Sequence, residues 1–260
     1  MAELSVKAVK YRYNQRLFNQ KTEIMTPERN HRIRQLLTLR QPDLTVCIEN
    51  VHKPHNLSAI VRTCDAVGVH QVHAVWKDQS EELRSDTAMG SQNWVQVQSH
   101  NTIDQAVSTL KTQGMQILAT HLSDKAIDFR EIDYTKPTAI LLGREKTGIS
   151  EHALALADQD IIIPMVGMVQ SLNVSVANAL IMYEAQRQRQ DANMYQGPCK
   201  LSPEEQTRIL FEGGHPVLAK ICHKKGLPTP DINTDGEIIA DELWWKKIQM
   251  SKEALQHLDD

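Results

Sequence analysis

Between residues 44 and 190, short apolar runs alternate with longer stretches whose apolar positions recur every three or four residues. Runs of the first kind predict buried strands, and stretches of the second kind predict amphipathic helices. Strands are expected at 44–48, 69–76, 95–97, 115–120, 138–142 and 161–163. A helix should start at Asn56 or Ser58, run to Val67 and stop at Gly68. Further helices are expected at 103–111, closed by Gly114, at 150–157 and at 174–190. Continuous apolar strands separated by helices predict an α/β fold with a mostly parallel sheet and helices on both faces.

The flanks read differently. Residues 1–25 are polar and basic and form an extension of unclear fold. Thr26 is a plausible N-cap with Pro27 in the first turn, so 26–42 should carry a helix with Ile33, Leu36 and Leu37 on one face. The sheet domain then spans 43–192, and a helical extension spans 193–260. That extension opens on a linker at 193–198 and has helical stretches near 203–212 and 215–225. A turn-rich piece follows, and a last helix carries Trp244 and Trp245. There is no internal repeat.

Composition narrows the class. Hydrophobic residues at 41% and charged residues at 23% exclude a wholly disordered, collagenous or membrane chain. The net charge of −3 hides an asymmetry: residues 1–40 hold nine Lys and Arg against three acids. A basic head of this kind either binds a phosphate-rich polymer or is a solvated terminal helix. Cys47, Cys64, Cys199 and Cys222 form no CxxC, so neither a disulfide framework nor a zinc knuckle is indicated. No secretory apolar segment opens the chain, and a reducing, cytoplasmic setting is expected.

Candidate chemistry lies at the ends of the strands, where α/β proteins place ligands. No G-x-G pair occurs, so a dinucleotide fingerprint is absent. Gly143 to Ser150 imitates a phosphate loop but has Ile149 where the lysine must stand. His52, His55, His70 and His73 match no zinc spacing, and His70 and His73 should point to opposite faces of a strand. Three loops remain. The first runs from His52 through Asn56 to Arg62; an arginine in an apolar helix needs a ligand or a partner such as Asp65. The second, Gly143-Arg-Glu145-Lys-Thr-Gly148, sets an acid between glycines. The third joins a Met- and Gly-rich stretch after Ile163 to Ser171, Asn173 and Ser175, which suits an adenine or a thioether tail.

Asn56…Arg62, Gly143-x-Glu145-x-x-Gly148 and Ser171-Leu-Asn173-Val-Ser175, in this order, resemble the motifs of the SpoU–TrmH (SPOUT) class of RNA 2′-O-methyltransferases. The runs His52-Lys-Pro-His-Asn56 and Met168-Val-Gln-Ser-Leu-Asn173 are similar to the TrmH branch, which acts on the D-loop guanosine at position 18 of tRNA. The resemblance implies a C-terminal deep trefoil knot, a homodimer, a tRNA substrate and S-adenosyl-L-methionine as methyl donor, with no membrane or metal partner. It implies cofactor contacts at Thr120, Gly143, Ile163 and Leu172. Arg62 matches the catalytic arginine, and Asn56, Glu145, Ser171 and Asn173 match its supporting residues. Arg29, Arg32, Arg40, His55, Arg187 and Arg189 match basic positions tied to RNA phosphate or active-site assembly, Arg29 reaching the site from the partner subunit. A ribosomal-RNA methyltransferase of the same class and a catalytically inert RNA-binding factor are the alternatives.

Overall fold

A computed structural model of the protein describes residues 25–51, 53–76, 94–144 and 147–250. The chain divides into two compact units: Thr38–Lys200, and the described residues 25–37 with 201–250.

The first unit is built on seven strands: β1 (Leu44–Glu49), β2 (Gln71–Val75), β3 (Gln96–His100), β4 (Gln116–Thr120), β5 (Ile127–Asp128), β6 (Thr138–Leu142) and β7 (Gln159–Ile162). Their order in the sheet is β3-β2-β1-β6-β4-β7-β5, and every pairing is parallel. Four helices cover it: α2 (Pro54–Ala66), α3 (Ile103–Thr112), α4 (Glu151–Leu156) and α5 (Val174–Asp191). Alternation along β1 sorts the two faces. Leu44, Val46 and Ile48 join a core with Leu57, Ile60, Val61 and Cys64 of α2 and Ile181, Met182 and Ala185 of α5. Cys47 joins a second core with Ile103, Ala106, Val107 and Leu110 of α3 and Ala153 of α4. All six residues of β1 are buried, as a strand covered on both faces requires.

Helix boundaries follow capping chemistry. Thr102 Oγ1 accepts from Gln105 N ahead of α3, and Ser150 Oγ accepts from Ala153 N ahead of α4. Gly68 ends the turn after α2 at φ +85°, and a Cβ there would stand 2.7 Å from the Leu39 carbonyl oxygen. Two expectations shift. Helix α2 begins earlier than predicted, because Pro54 takes its first turn behind Lys53 as N-cap. Strand β5, two residues at the sheet edge, is too short to carry an alternating signature.

The second unit joins α1 (Pro27–Thr38) to α6 (Pro203–Gly214), α7 (Pro216–Lys225), a hairpin of β8 (Asp231–Ile232) and β9 (Ile238–Ile239), and α8 (Glu242–Gln249). The sequence pattern does not predict the hairpin, since its strands lie inside the turn-rich piece. Thr26 caps α1 as expected, accepting from Arg29 N. Leu36, however, is exposed, and Asn30 takes the buried place beside Ile33 and Leu37. The Asn30 amide donates to the carbonyls of Asn233 and Thr234, and Arg34 donates to those of Ile232 and Asn233. Polar groups on α1 thus hold the hairpin, which an apolar pattern cannot signal. Helices α6 and α8 meet through Phe211 and Trp244, edge to face at 6.2 Å.

Candidate active site

Parallel pairing sends the carboxyl ends of β1, β6, β4 and β7 to one edge of the sheet. The three loops singled out in the sequence leave β1, β6 and β7, so they open on that edge together. Thr120 closes β4, Gly143 follows β6 and Ile163 follows β7, at the ends of three strands that are neighbours in the sheet. The Thr120 hydroxyl donates to the Leu141 carbonyl, tying two of those ends together.

The first loop begins with Asn50 at φ +53°, a left-handed turn that asparagine tolerates. Asn56 is not the helix cap that the sequence suggested. It lies in the first turn of α2, is 2% exposed, and its Oδ1 accepts from Asn173 Nδ2 at 3.2 Å. Asn173 is the N-cap of α5, its Oδ1 accepting from Ser175 N and Oγ. One amide therefore starts α5 and links the third loop to the first. Arg62 stands six residues beyond Asn56, about 120° around the helix, and is exposed. The Asp65 carboxylate, three residues further along the helix, accepts from Arg40 at 2.7 Å.

The second loop is closed by reciprocal backbone hydrogen bonds between Arg144 and Gly148. A Cβ on Gly143 would lie 2.3 Å from the Gly148 carbonyl carbon and the Ile149 nitrogen, so glycine is obligatory for this closure. Glu145 lies outside the described residues. Glu49, at the end of β1, meets the second loop, a contact that sequence reasoning missed. Its carboxylate accepts from Ser150 N at 2.9 Å and from Ser150 Oγ at 2.7 Å. No motif marks it, since its partner is 101 residues away.

In the third loop Ser171 and Asn173 are exposed, Ile163 and Leu172 half-buried, and Val166 and Met168 fully exposed. Apolar side chains open to solvent beside polar ones are the composition of a ligand-binding loop.

The basic residues separate by position. Arg32 and His55 are exposed. Arg187 is exposed and pairs with Glu184 and Asp191 on its own helix, contacts weak enough for a phosphate to displace. Arg29, in the second unit, is exposed and donates to the Gly213 carbonyl. Arg40 and Arg189 differ from these: both are buried, and their hydrogen bonds run to the protein itself. Arg40 holds Asp65 and the Val69 carbonyl. All five N–H groups of Arg189 are engaged by Gln41, Asp43, Tyr134 and Lys136, leaving none for phosphate. Burial pushes the Cys47 thiol up to about 12, with Glu49 adding to the effect, and pushes the Cys64 thiol up further, so neither is a nucleophile. Among the described residues no His, Cys, Asp and Glu cluster can hold a metal ion, and no helix is long and apolar enough to cross a membrane.

The chain belongs to the SpoU rRNA methylase family, whose model matches residues 43–183; the model of the family's C-terminal region matches 187–241. Among relatives, it is 66% identical over 226 residues to the tRNA (guanosine(18)-2′-O)-methyltransferase of Escherichia coli, covering 86% of this chain and 99% of that protein. The enzyme of the same name from Thermus thermophilus is 56% identical, covering 72% and 96%. Among solved structures, the A. aeolicus TrmH/SpoU tRNA modifying enzyme superposes with a TM-score of 0.65 at 45% identity, covering 70% of this chain and 92% of that one. An AdoMet-bound rRNA methyltransferase from Sinorhizobium meliloti superposes with a TM-score of 0.52 at 30% identity, covering 58% and 59%.

Proposed function

We propose that this chain methylates the ribose 2′-oxygen of the D-loop guanosine at position 18 of tRNA, with S-adenosylmethionine as donor. The observation that carries the reading is the convergence of the three loops on one sheet edge, the first and third joined there by Asn56 and Asn173. The relatives that share most of this chain bear the name of that activity.

S-adenosylmethionine supplies an electrophilic methyl group on a sulfonium. Thr120, Gly143, Ile163 and Leu172 are the residues assigned to hold it. Two features of the fold suit such a ligand: Gly143 brings backbone without a side chain to the end of β6, and Val166 and Met168 offer apolar surface. With the donor activated, the protein's task is alignment, which is worth roughly 7–11 kcal/mol. Arg62 anchors a phosphate beside the target ribose and stabilises negative charge developing on the 2′-oxygen as its proton leaves. Asn56 holds Asn173, and Asn173 with Ser171 orients the ribose or the methionine moiety. Glu145 fixes an arginine or a backbone amide. Arg32, His55 and Arg187 contact RNA phosphate, and Arg29 completes the site of the partner subunit.

The reading includes a homodimer, supported by Val176, Leu180 and Tyr183, which lie along one face of α5 at 47%, 42% and 53% exposure. It includes a trefoil knot, supported by the path of the chain. Strand β7 lies beyond β4, yet α5 returns to pack on α2 beside the β1 core. The proposed setting is the cytoplasm, where tRNA is found.

The test is to incubate the protein with labelled S-adenosylmethionine and bulk tRNA or ribosomal RNA, then digest and identify the methylated nucleoside. Label in 2′-O-methylguanosine from tRNA position 18 is expected. Arg62→Ala should abolish transfer while calorimetric cofactor binding persists. Label confined to ribosomal RNA would overturn the substrate, and full turnover by Arg62→Ala would overturn the role of that residue.

A further inference from the structure

We infer that Glu49 is a positioning residue that anchors the Gly148–Ser150 end of the second loop against Gly143 for cofactor binding, an inference that rests on the proposed function. Glu49 ends β1, so its backbone leads directly into the loop that carries Asn56 and Arg62. Its side chain turns instead to the second loop, where both carboxylate oxygens are engaged by one residue: Oε2 by Ser150 N and Oε1 by Ser150 Oγ. At 7% exposure the carboxylate competes little with water for these donors, and charge-assisted hydrogen bonds of this kind are the stronger class.

The consequence falls on the turn. Ser150 anchors the chain two residues after Gly148, whose backbone closes on Arg144 from both sides. The Ser150 hydroxyl also accepts from Ala153 N, so the same residue starts α4. One end of the turn is therefore fixed by β6, and the other by Glu49 together with the buried Ile149. Gly143 lies directly against this end, since a Cβ there would meet the backbone of Gly148 and Ile149 at 2.3 Å. With Glu49 removed, the far end of the turn loses its anchor to β1. The backbone groups at Gly143 then sample positions that no longer fit the donor. Arg62 and His55 stay on α2, and Arg32 and Arg187 on α1 and α5, whereas the Ser150 hydroxyl bonds to Glu49 and Ala153.

The effect should therefore appear in cofactor affinity and not in RNA affinity or in saturated turnover. Calorimetry with S-adenosylmethionine, paired with steady-state kinetics on tRNA, tests it. Glu49→Ala should weaken cofactor binding about tenfold or more, the scale of a lost charge-assisted hydrogen bond. Its KM for tRNA, and its kcat at saturating donor, should stay within about twofold of wild type. Glu49→Gln, which keeps one oxygen for Ser150 N and turns its amide N–H to the hydroxyl, should recover most of the affinity. Ser150→Ala, at an exposed residue, gives the same directional loss if Glu49→Ala fails to fold. Wild-type cofactor affinity in both Glu49→Ala and Ser150→Ala would overturn the inference. So would a kcat collapse with affinity intact, which would move Glu49 into the chemistry. If the wild-type protein gives no binding heat, the proposed function fails instead, so the two failures are separable.

Discussion

Replacing Arg189 separates a fold-holding arginine from an RNA-binding one. Its side chain is wholly buried and makes five hydrogen bonds, one to the Asp43 carboxylate at 2.6 Å. It thereby joins the start of β1, the segment ahead of β6 and the last turn of α5. Arg189→Met keeps most of the volume but strands the Tyr134 carbonyl and the Asp43 carboxylate, while the Asp43 and Lys136 carbonyls and the Gln41 amide oxygen each keep one other donor, from Thr138 N, Thr138 Oγ1 and Lys200 Nζ. A stranded buried acceptor costs about 1–3 kcal/mol. The Asp43 side chain is 30% exposed and rehydrates, and water reaching the others reduces the sum. Breaking such a pair typically costs about 3–5 kcal/mol, which is the expected destabilisation. That is a large share of a stability of about 5–15 kcal/mol, and it corresponds to a melting point lower by roughly 10 °C. Urea unfolding followed by circular dichroism measures it. Arg189→Lys, which retains charge but not the fork of donors, should fall between wild type and Arg189→Met. The salt dependence of tRNA binding by folded Arg189→Lys should match wild type. A loss under about 1 kcal/mol, together with a salt slope reduced by about one, would refute the reasoning and return Arg189 to the RNA surface.

Three further outcomes are expected. Gly143→Ala should lose S-adenosylmethionine affinity by about tenfold or more in calorimetry, because its Cβ would meet unyielding backbone; unchanged affinity would show that the turn can open. Leu180→Glu, in the middle of the exposed apolar face of α5, should convert a dimer to monomers in analytical ultracentrifugation without changing the circular dichroism spectrum. A sedimentation coefficient equal to wild type would place any interface elsewhere. Stability should fall as the medium is acidified, because burial, with a smaller push from His100, lowers His73 to about 4, and His73 Nδ1 lies 2.9 Å from His100 Nε2. The unfolded histidine binds its proton near pH 6.5, so the contribution is complete above that value and is lost between about 6.5 and 4. At pH 5 the loss amounts to about 2 kcal/mol. Urea midpoints at pH 8 and pH 5 should differ by less in His73→Leu than in wild type, and equal differences would remove His73 as the source.

Much of the architecture was legible along the chain. The apolar run at 138–142 became β6 without change, and the start of α4 behind Ser150 matched its capping serine. These features are local: a cap, a glycine at positive φ or a two-residue alternation acts through neighbours a few positions away. The motif loops were legible for the same reason. Apart from the early start of α2 at Pro54, what misled was a residue whose partner is remote. Asn56 looked like a helix cap because caps are asparagine-rich, but it faces Asn173 at a separation of 117 residues. Arg187 and Arg189 carry the same side chain two positions apart, and only the second turns inward.

The order of strands and helices, the glycine-bounded turn and the chemistry of the three loops were written in the chain itself, because backbone sterics and side-chain periodicity act over a few residues. Tertiary structure alone decided that Glu49 grips Ser150, that Arg40 and Arg189 hold the fold, and that α1 joins the helices after Leu201. Those outcomes depend on which strand lies beside which and on which face of a helix meets the sheet, and one side chain's chemistry has no access to either until the packing exists.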